Sequence, residues 1–256
     1  MNRNGSLLRN RELSASMSHM PKSDISELSI EKMFEAGAHY GYSKTRRHPS
    51  VSPFIFTTKN KTDIVDLEKS QKMLVDACDF MKELGAKNKV VLFVGTKPEA
   101  REAVMAAAQA TGMPYVIERW IGGTLSNFTE IKKRIAELEN YKIENEKGEL
   151  EKYTKKERLM LSKKMEKLSK YYSGMIGMKK IPDAVLIIDA RKEHIAATEA
   201  RKSKVPVVAL ANTDSNIKGI THSIIANDAS RLSIALFTKA LADAYKVGIM
   251  SVPAKS

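Results

Sequence analysis

The run Ala184-Val185-Leu186-Ile187-Ile188 is apolar at every position. A strand with one face in water alternates polar and apolar residues, because successive side chains point to opposite sides of the sheet. A strand without alternation is covered on both faces, as in a parallel sheet packed between helices. The same texture recurs at 90–94 and 207–210, and more briefly at 63–67, 115–117 and 223–226. Helical periodicity fills the intervals at 68–84, 98–111, 193–201 and 228–247. Strands alternating with helices, joined by right-handed crossovers, predict a doubly wound parallel sheet in α/β/α layers.

The alternation breaks over 127–172. Ile131, Ile135 and Leu138 form one narrow apolar stripe, and Leu161, Met165, Leu168 and Tyr172 form a second, with the polar stretch 144–152 and Gly148 between them. Two such stripes predict an inserted antiparallel helical hairpin, a short coiled coil projecting from the sheet. The stripes are too sparse in Trp, Phe and Leu for a membrane-surface helix. No apolar stretch approaches the roughly 20 residues that span a bilayer. The predicted organisation is a flexible extension over 1–28, an α/β body over 29–126 and 174–250, the hairpin over 127–173 and a tail over 251–256. Within the extension, Met17 and Met20 are alternative starts, and the lack of an amphipathic helix argues against a targeting peptide.

Lys and Arg number 43 against 30 Asp and Glu, a net charge of +13 that calls for a polyanionic partner. The excess is not spread evenly. The stretch 41–61 carries Lys44, Arg46, Arg47, Lys59 and Lys61 without one acid, and Pro49 and Pro53 predict that it is a non-helical loop. The first hairpin helix carries Lys132, Lys133 and Arg134. The second carries Lys152, Lys155, Lys156, Arg158, Lys163, Lys164, Lys167 and Lys170 against Glu151, Glu157 and Glu166, more cations than solubility requires. Each phosphate such side chains neutralise releases counterions and adds salt-sensitive affinity.

Enzyme signatures are weak by comparison. The turn at Gly95-Thr96-Lys97 has a single glycine, so it lacks the spacing of a dinucleotide or triphosphate loop, and chain reversal explains it. Asp189, Glu193 and His194 follow a strand end where active sites of this fold class lie, but the simpler reading makes Asp189 a helix cap, Glu193 a first-turn acid and His194 a residue facing solvent or RNA. His19, His39, His48, His194 and His222 show no ligand spacing, and no metal is predicted. The single cysteine, Cys78, excludes an intramolecular disulfide and reads as a buried small residue. The segment 118–128 sets Arg119 beside the only tryptophan, Trp120, then Gly122-Gly123, with Ser126 or Asn127 to cap a helix. Arg119 and Trp120 can stack on bases while the glycines admit a phosphate chain, or Trp120 anchors the core and the glycines make a turn.

At these residues the chain resembles the bacterial small-subunit ribosomal protein family S-two. The resemblance spans about 30–248 and rests on Phe34-Glu35-Ala36-Gly37-Ala38-His39-Tyr40-Gly41, Thr45-Arg46-Arg47-His48-Pro49, Pro53-Phe54-Ile55-Phe56, Leu92-Phe93-Val94-Gly95-Thr96-Lys97 and Arg119-Trp120-Ile121-Gly122-Gly123. It continues through Leu159-Met160-Leu161, Pro182-Asp183-Ala184, Lys192-Glu193-His194-Ile195-Ala196 and Glu199-Ala200-Arg201-Lys202. It implies a flavodoxin-like domain with a coiled-coil insertion, bound to small-subunit rRNA in the cytoplasm beside neighbouring ribosomal proteins. In many bacteria it also implies help in recruiting the large mRNA-capturing protein one. Three positions depart from the family pattern: Tyr42 stands where a histidine is usual, His48 where tryptophan is common, and Ile225-Ala226-Asn227-Asp228 replaces Pro-Gly-Asn-Asp.

The expected function is therefore structural rRNA binding by a chain that is neither an enzyme nor a homo-oligomer, without cofactor, metal or membrane. The expected RNA-binding residues are Lys44, Arg46, Arg47, His48, Lys59, Lys61, Lys97, Arg119, Trp120, Lys132, Lys133, Arg134, Lys155, Lys156 and Arg158. Phosphate contacts from such residues position a protein without reading bases. The alternatives are a nucleotide-binding α/β enzyme, which predicts turnover or tight binding of a free nucleotide, and a coiled-coil protein scaffold, whose binding survives ribonuclease.

Overall fold

A computed structural model describes residues 29–251. The predicted extension at 1–28 and most of the predicted tail lie outside the described residues. The chain is a mixed α/β protein built on a five-stranded parallel sheet. The strands are β4 (Val91–Val94), β5 (Tyr115–Val116), β6 (Ala184–Ile188), β7 (Val207–Ala211) and β8 (His222–Ile225). Their spatial order, β5-β4-β6-β7-β8, is that of a flavodoxin-like fold.

The absence of alternation has the predicted cause. Val91, Phe93, Leu186, Ile188, Val208 and Leu210 point into one core, while Leu92, Val94, Val185, Ile187, Val207 and Ala209 point into the other. The first core is closed by α2 (Leu67–Ala86), α3 (Pro98–Thr111) and α7 (Arg231–Met250), and the second by α6 (His194–Lys202) and by the base of two longer helices described below. Local signals set the ends of these helices. Asp66 accepts from the backbone N–H groups of Glu68 and Lys69 at the start of α2, and α3 begins on Pro98 and stops at Gly112, whose φ of +68° is left-handed. Helices α2 and α7 meet at Gly85 and Gly248, where a Cβ would collide with the backbone carbonyls of Tyr245 and Lys82. Cys78 is fully buried on α2, and burial pushes its thiol up to about 12.

The stretch 41–61 is structured, which corrects the loop expectation. After α1 (Ile30–Glu35), strands β1 (Tyr40–Ser43), β2 (Ile55–Lys59) and β3 (Thr62–Val65) form a separate antiparallel sheet in the order β1-β3-β2. The predicted strand at 63–67 thus belongs to this small sheet. Pro49 and Pro53 lie in a short 3-10 helix, Pro49–Phe54, where few backbone donors are needed. Asn60 and Lys61 turn β2 into β3 with φ of 49° and 63°, the conformation of a two-residue hairpin turn.

Between β5 and β6 stand α4 (Phe128–Glu146) and α5 (Lys155–Tyr172). Ile131, Ile135 and Leu138 are buried on the first, Met165 and Tyr172 on the second, and Lys164 pairs with Glu137 between them. A capping box starts α5: the Thr154 hydroxyl accepts from the N–H of Glu157, whose carboxylate accepts from the N–H of Thr154 at 2.9 Å. Among the described residues no helix is long and apolar enough to cross a membrane.

Candidate nucleic-acid interface

In a sheet of this order, ligands bind outside the carboxyl ends of the strands, at the crevice between β4 and β6 where the winding reverses. Protein groups fill that crevice here. Gly95 lets the chain turn against α3, since a Cβ there would lie 2.8 Å from Val104 Cγ2. Lys97 then points between Asp189 and Asp228, with Nζ 3.0 Å and 3.4 Å from their carboxylates and 3.3 Å from the Tyr42 hydroxyl. Asn212 donates to Asp228 at 3.1 Å. Burial pushes Asp228 up to about 6, aided by the Asp189 charge and opposed by Lys97. Burial alone would depress Lys97, but Asp228 and Asp189 outweigh it and hold the ammonium above its usual range.

The expected RNA contact by Lys97 is corrected by its surroundings: its side chain is only 14% exposed, inside an internal ion cluster. Asp189, with φ of +67°, accepts from the N–H of Lys192 at 3.0 Å in the turn before α6, so it braces that turn and does not cap the helix, whose N-cap is Glu193. Glu193 is buried and stands at the N-cap of α6, one residue before the first turn expected of it. It accepts from the backbone and hydroxyl of Thr96, and burial raises its carboxyl. His194 is exposed, and its Nδ1 donates to the Arg191 carbonyl at 3.2 Å.

The basic stretch folds down over the same end of the sheet. The N–H of His48 donates to the Thr213 carbonyl at 2.8 Å, that of Tyr42 donates to the Thr213 hydroxyl at 2.9 Å, and Ser50 Oγ accepts from the N–H of Ile217 at 3.3 Å. Gly41 makes this approach possible, because a Cβ there would lie 2.6 Å from Thr213 Cγ2. Arg47 is tied to the fully buried Asp63, with Nε 2.8 Å from one carboxylate oxygen and Nη2 on the other. The Arg47 hydrogen bond outweighs burial and holds Asp63 below the usual carboxylate range. Arg47 is therefore held by the protein's own carboxylate, while its side chain also lines the cavity beside Arg46. Arg46 is half-exposed, stacked 4.3 Å from the Tyr42 ring centre and bonded to Asp214 at 2.9 Å. Lys44, Lys59 and Lys61 are exposed and have no ion-pair partner among the described residues.

Next to Arg46 opens a cavity of about 520 Å³, walled by Arg46, His48, Arg191, His194, Arg201 and Lys218 among others. Arg191 donates to the Asp214 oxygen that also receives Arg46, at 2.6 Å. Arg191, Arg201 and Lys218 escape a reading of charge density along the chain, because the first two stand among the acids Asp189, Glu193 and Glu199, and Lys218 is a lone cation. The signal that finds them is position: Arg191 follows β6, and Lys218 lies in the connection after β7.

The Gly122-Gly123 turn closes on a carboxylate of the protein itself. Glu199 of α6 accepts from the N–H of Gly123 at 2.7 Å and of Leu125 at 3.1 Å, while its hydrogen-bond reach includes the Ser126 hydroxyl at 3.5 Å. The space expected for a phosphate chain is thus occupied from within. Trp120 is 6% exposed in the second core, so it is an anchor and offers no stacking face, while Arg119 is exposed. Asn127 occupies the cap position of α4 without a side-chain bond. On the paired helices, Lys133 and Arg134 are held by Glu130 and Glu137 at 2.6 Å and 3.2 Å. Lys132, Lys155, Lys156 and Arg158 are exposed without such partners among the described residues.

A family model described as Ribosomal protein S2 matches residues 33–248. The chain belongs to the ribosomal protein S2 family. It is a small-subunit ribosomal protein, of a family that is generally non-enzymatic. The match runs through both sheets and the paired helices of this S2 chain, and includes the filled crevice and the cationic cavity. The departure at Tyr42 lies inside the crevice, where its hydroxyl meets Lys97.

Proposed function

We propose that the chain is held on small-subunit rRNA by phosphate contacts from exposed, unpaired cations: Lys44, Lys59 and Lys61 on the small sheet, Arg119 on the turn after β5, and Lys132, Lys155, Lys156 and Arg158 on the paired helices. The observation that carries this reading is that these side chains lack internal carboxylates, whereas Arg47 and Lys97 have them. An unpaired surface cation is free to neutralise a phosphate and release its counterion. The buried stripes of α4 and α5 support their action as a coiled-coil arm on the α/β body. Against an enzyme stands the crevice filled by Lys97, Asp189 and Asp228.

A second surface favours protein partners. Phe34, Tyr40 and Phe56 are 60%, 53% and 75% exposed beside the small sheet, an apolar patch suited to a neighbouring ribosomal protein such as protein one.

The test is sedimentation of the tagged chain in a lysate gradient with magnesium that keeps subunits intact. The chain travels with small subunits, and changing Lys44, Lys59 and Lys61 together to Gln weakens incorporation and its salt dependence. Failure of the unaltered chain to travel with small subunits overturns the reading.

A further inference from the structure

We propose that the cavity at the carboxyl ends of β6 and β7 is a phosphodiester pocket, which seats a backbone phosphate of a single RNA strand with its ribose. This rests on the rRNA-binding reading and names a site within it that the charge runs of the sequence did not indicate.

Arg47 lines the cavity but is held by Asp63, and four further cations from separate segments converge there: Arg46, Arg191, Arg201 and Lys218. One lining carboxylate, Asp214, opposes them, so three positive charges remain uncompensated within the wall. The arrangement is also ordered. Arg46 and Arg191 donate to the same Asp214 oxygen, at 2.9 Å and 2.6 Å, which brings two guanidinium groups together that would otherwise repel. Each guanidinium has five N–H donors in a rigid fork, so one bond to Asp214 leaves donors for a further oxyanion. Stacking on Tyr42 fixes the plane of Arg46. Arg201 runs along Gly219, where a Cβ would lie 3.1 Å from its Cδ, and neither Arg201 nor Lys218 has an ion-pair partner among the described residues.

The volume, about 520 Å³, exceeds what a bare phosphate needs and admits the attached sugar. Ala190, Ala197 and Ile220 supply an apolar part of the wall for that sugar. The cavity is bordered by the basic stretch at Arg46 and His48, so a strand that leaves it meets further cations. These features favour one linkage of a longer strand over a free nucleotide.

The experiment uses the full chain. Arginine modification by phenylglyoxal, mapped by mass spectrometry, is compared for the isolated chain, the chain with decauridylate, with uridine monophosphate or with uridine, and the chain in assembled small subunits. Arg191 and Arg201 become protected by decauridylate and in subunits, and stay reactive with uridine. In parallel, the exposed pair Arg201→Gln and Lys218→Gln, which leaves the melting curve unchanged, weakens decauridylate binding about tenfold and flattens the log-log salt slope by about 0.7 for each phosphate no longer neutralised. Protection by uridine monophosphate equal to that by decauridylate overturns the assignment in favour of a mononucleotide site. Arg191 and Arg201 that remain reactive in subunits, with the chain still sedimenting there, overturn the pocket and leave the rRNA-binding reading standing.

Discussion

Replacing Glu199 with Ala isolates the interaction that shapes the turn before α4. In the folded chain this buried carboxylate accepts from two backbone N–H groups, of Gly123 at 2.7 Å and Leu125 at 3.1 Å. A hydrogen bond to a charged group contributes about 1.5 to 3 kcal/mol, and a buried donor left alone costs more than the bond itself gained. Only Leu125 is deeply buried, since Gly123 can reach water once the turn loosens. The expected loss is therefore about 3 kcal/mol, near the lower bound for two such bonds. For a domain of this size that lowers Tm by roughly 6 to 12 °C. Glu199→Gln keeps one acceptor and turns an N–H₂ toward the other donor, so its loss falls between the wild type and Ala. Trp120 is the only tryptophan and is packed in the second core, so its emission reports on the same turn. It shifts to the red in Glu199→Ala before global unfolding. A Tm within about 2 °C of wild type, with unshifted emission, would show that the turn closes without the carboxylate.

Two further outcomes follow from buried groups. Asp228 titrates near 6 in the folded chain against 3.8 for an unperturbed aspartate, so the folded state holds this proton more tightly and the group lowers stability progressively as pH rises from about 4 to about 6. Asp228→Asn therefore gains on the wild type over that window, by up to about 3 kcal/mol at neutral pH; a stability difference flat between pH 4 and pH 7 in paired urea titrations would contradict this. Gly248→Ala should gain about 0.5 to 1 kcal/mol from helix propensity. It instead forces α7 off the Lys82 carbonyl of α2, and overpacking of that kind costs about 1 to 3 kcal/mol or more. Net destabilisation in the urea midpoint is expected, and a more stable variant would refute the close crossing.

The cationic stretch 41–61 shows where sequence reasoning stops. Its charge is plain, but its strands β1 and β2 and the β3 that follows are not, because each is only partly buried and mixes polar with apolar residues, and β2 turns into β3 at Asn60-Lys61 with no glycine. Nor does charge density along a chain distinguish a cation that faces water from one that faces a carboxylate. Arg47 lies 16 residues from Asp63, and Lys97 lies 92 and 131 residues from its two partners.

The apolar runs at 91–94, 184–188 and 207–211 determined the parallel sheet by themselves, because covering both faces of a strand is written into consecutive residues. Ordered motifs along most of the chain likewise carried the family. Only the tertiary structure decided that Glu199 fills the glycine turn, that Lys97 fills the nucleotide crevice, and that Arg46, Arg191, Arg201 and Lys218 share one cavity. Electrostatic partnership depends on distance in space, and the crossovers that bring separate segments to the carboxyl ends of β6 and β7 set those distances.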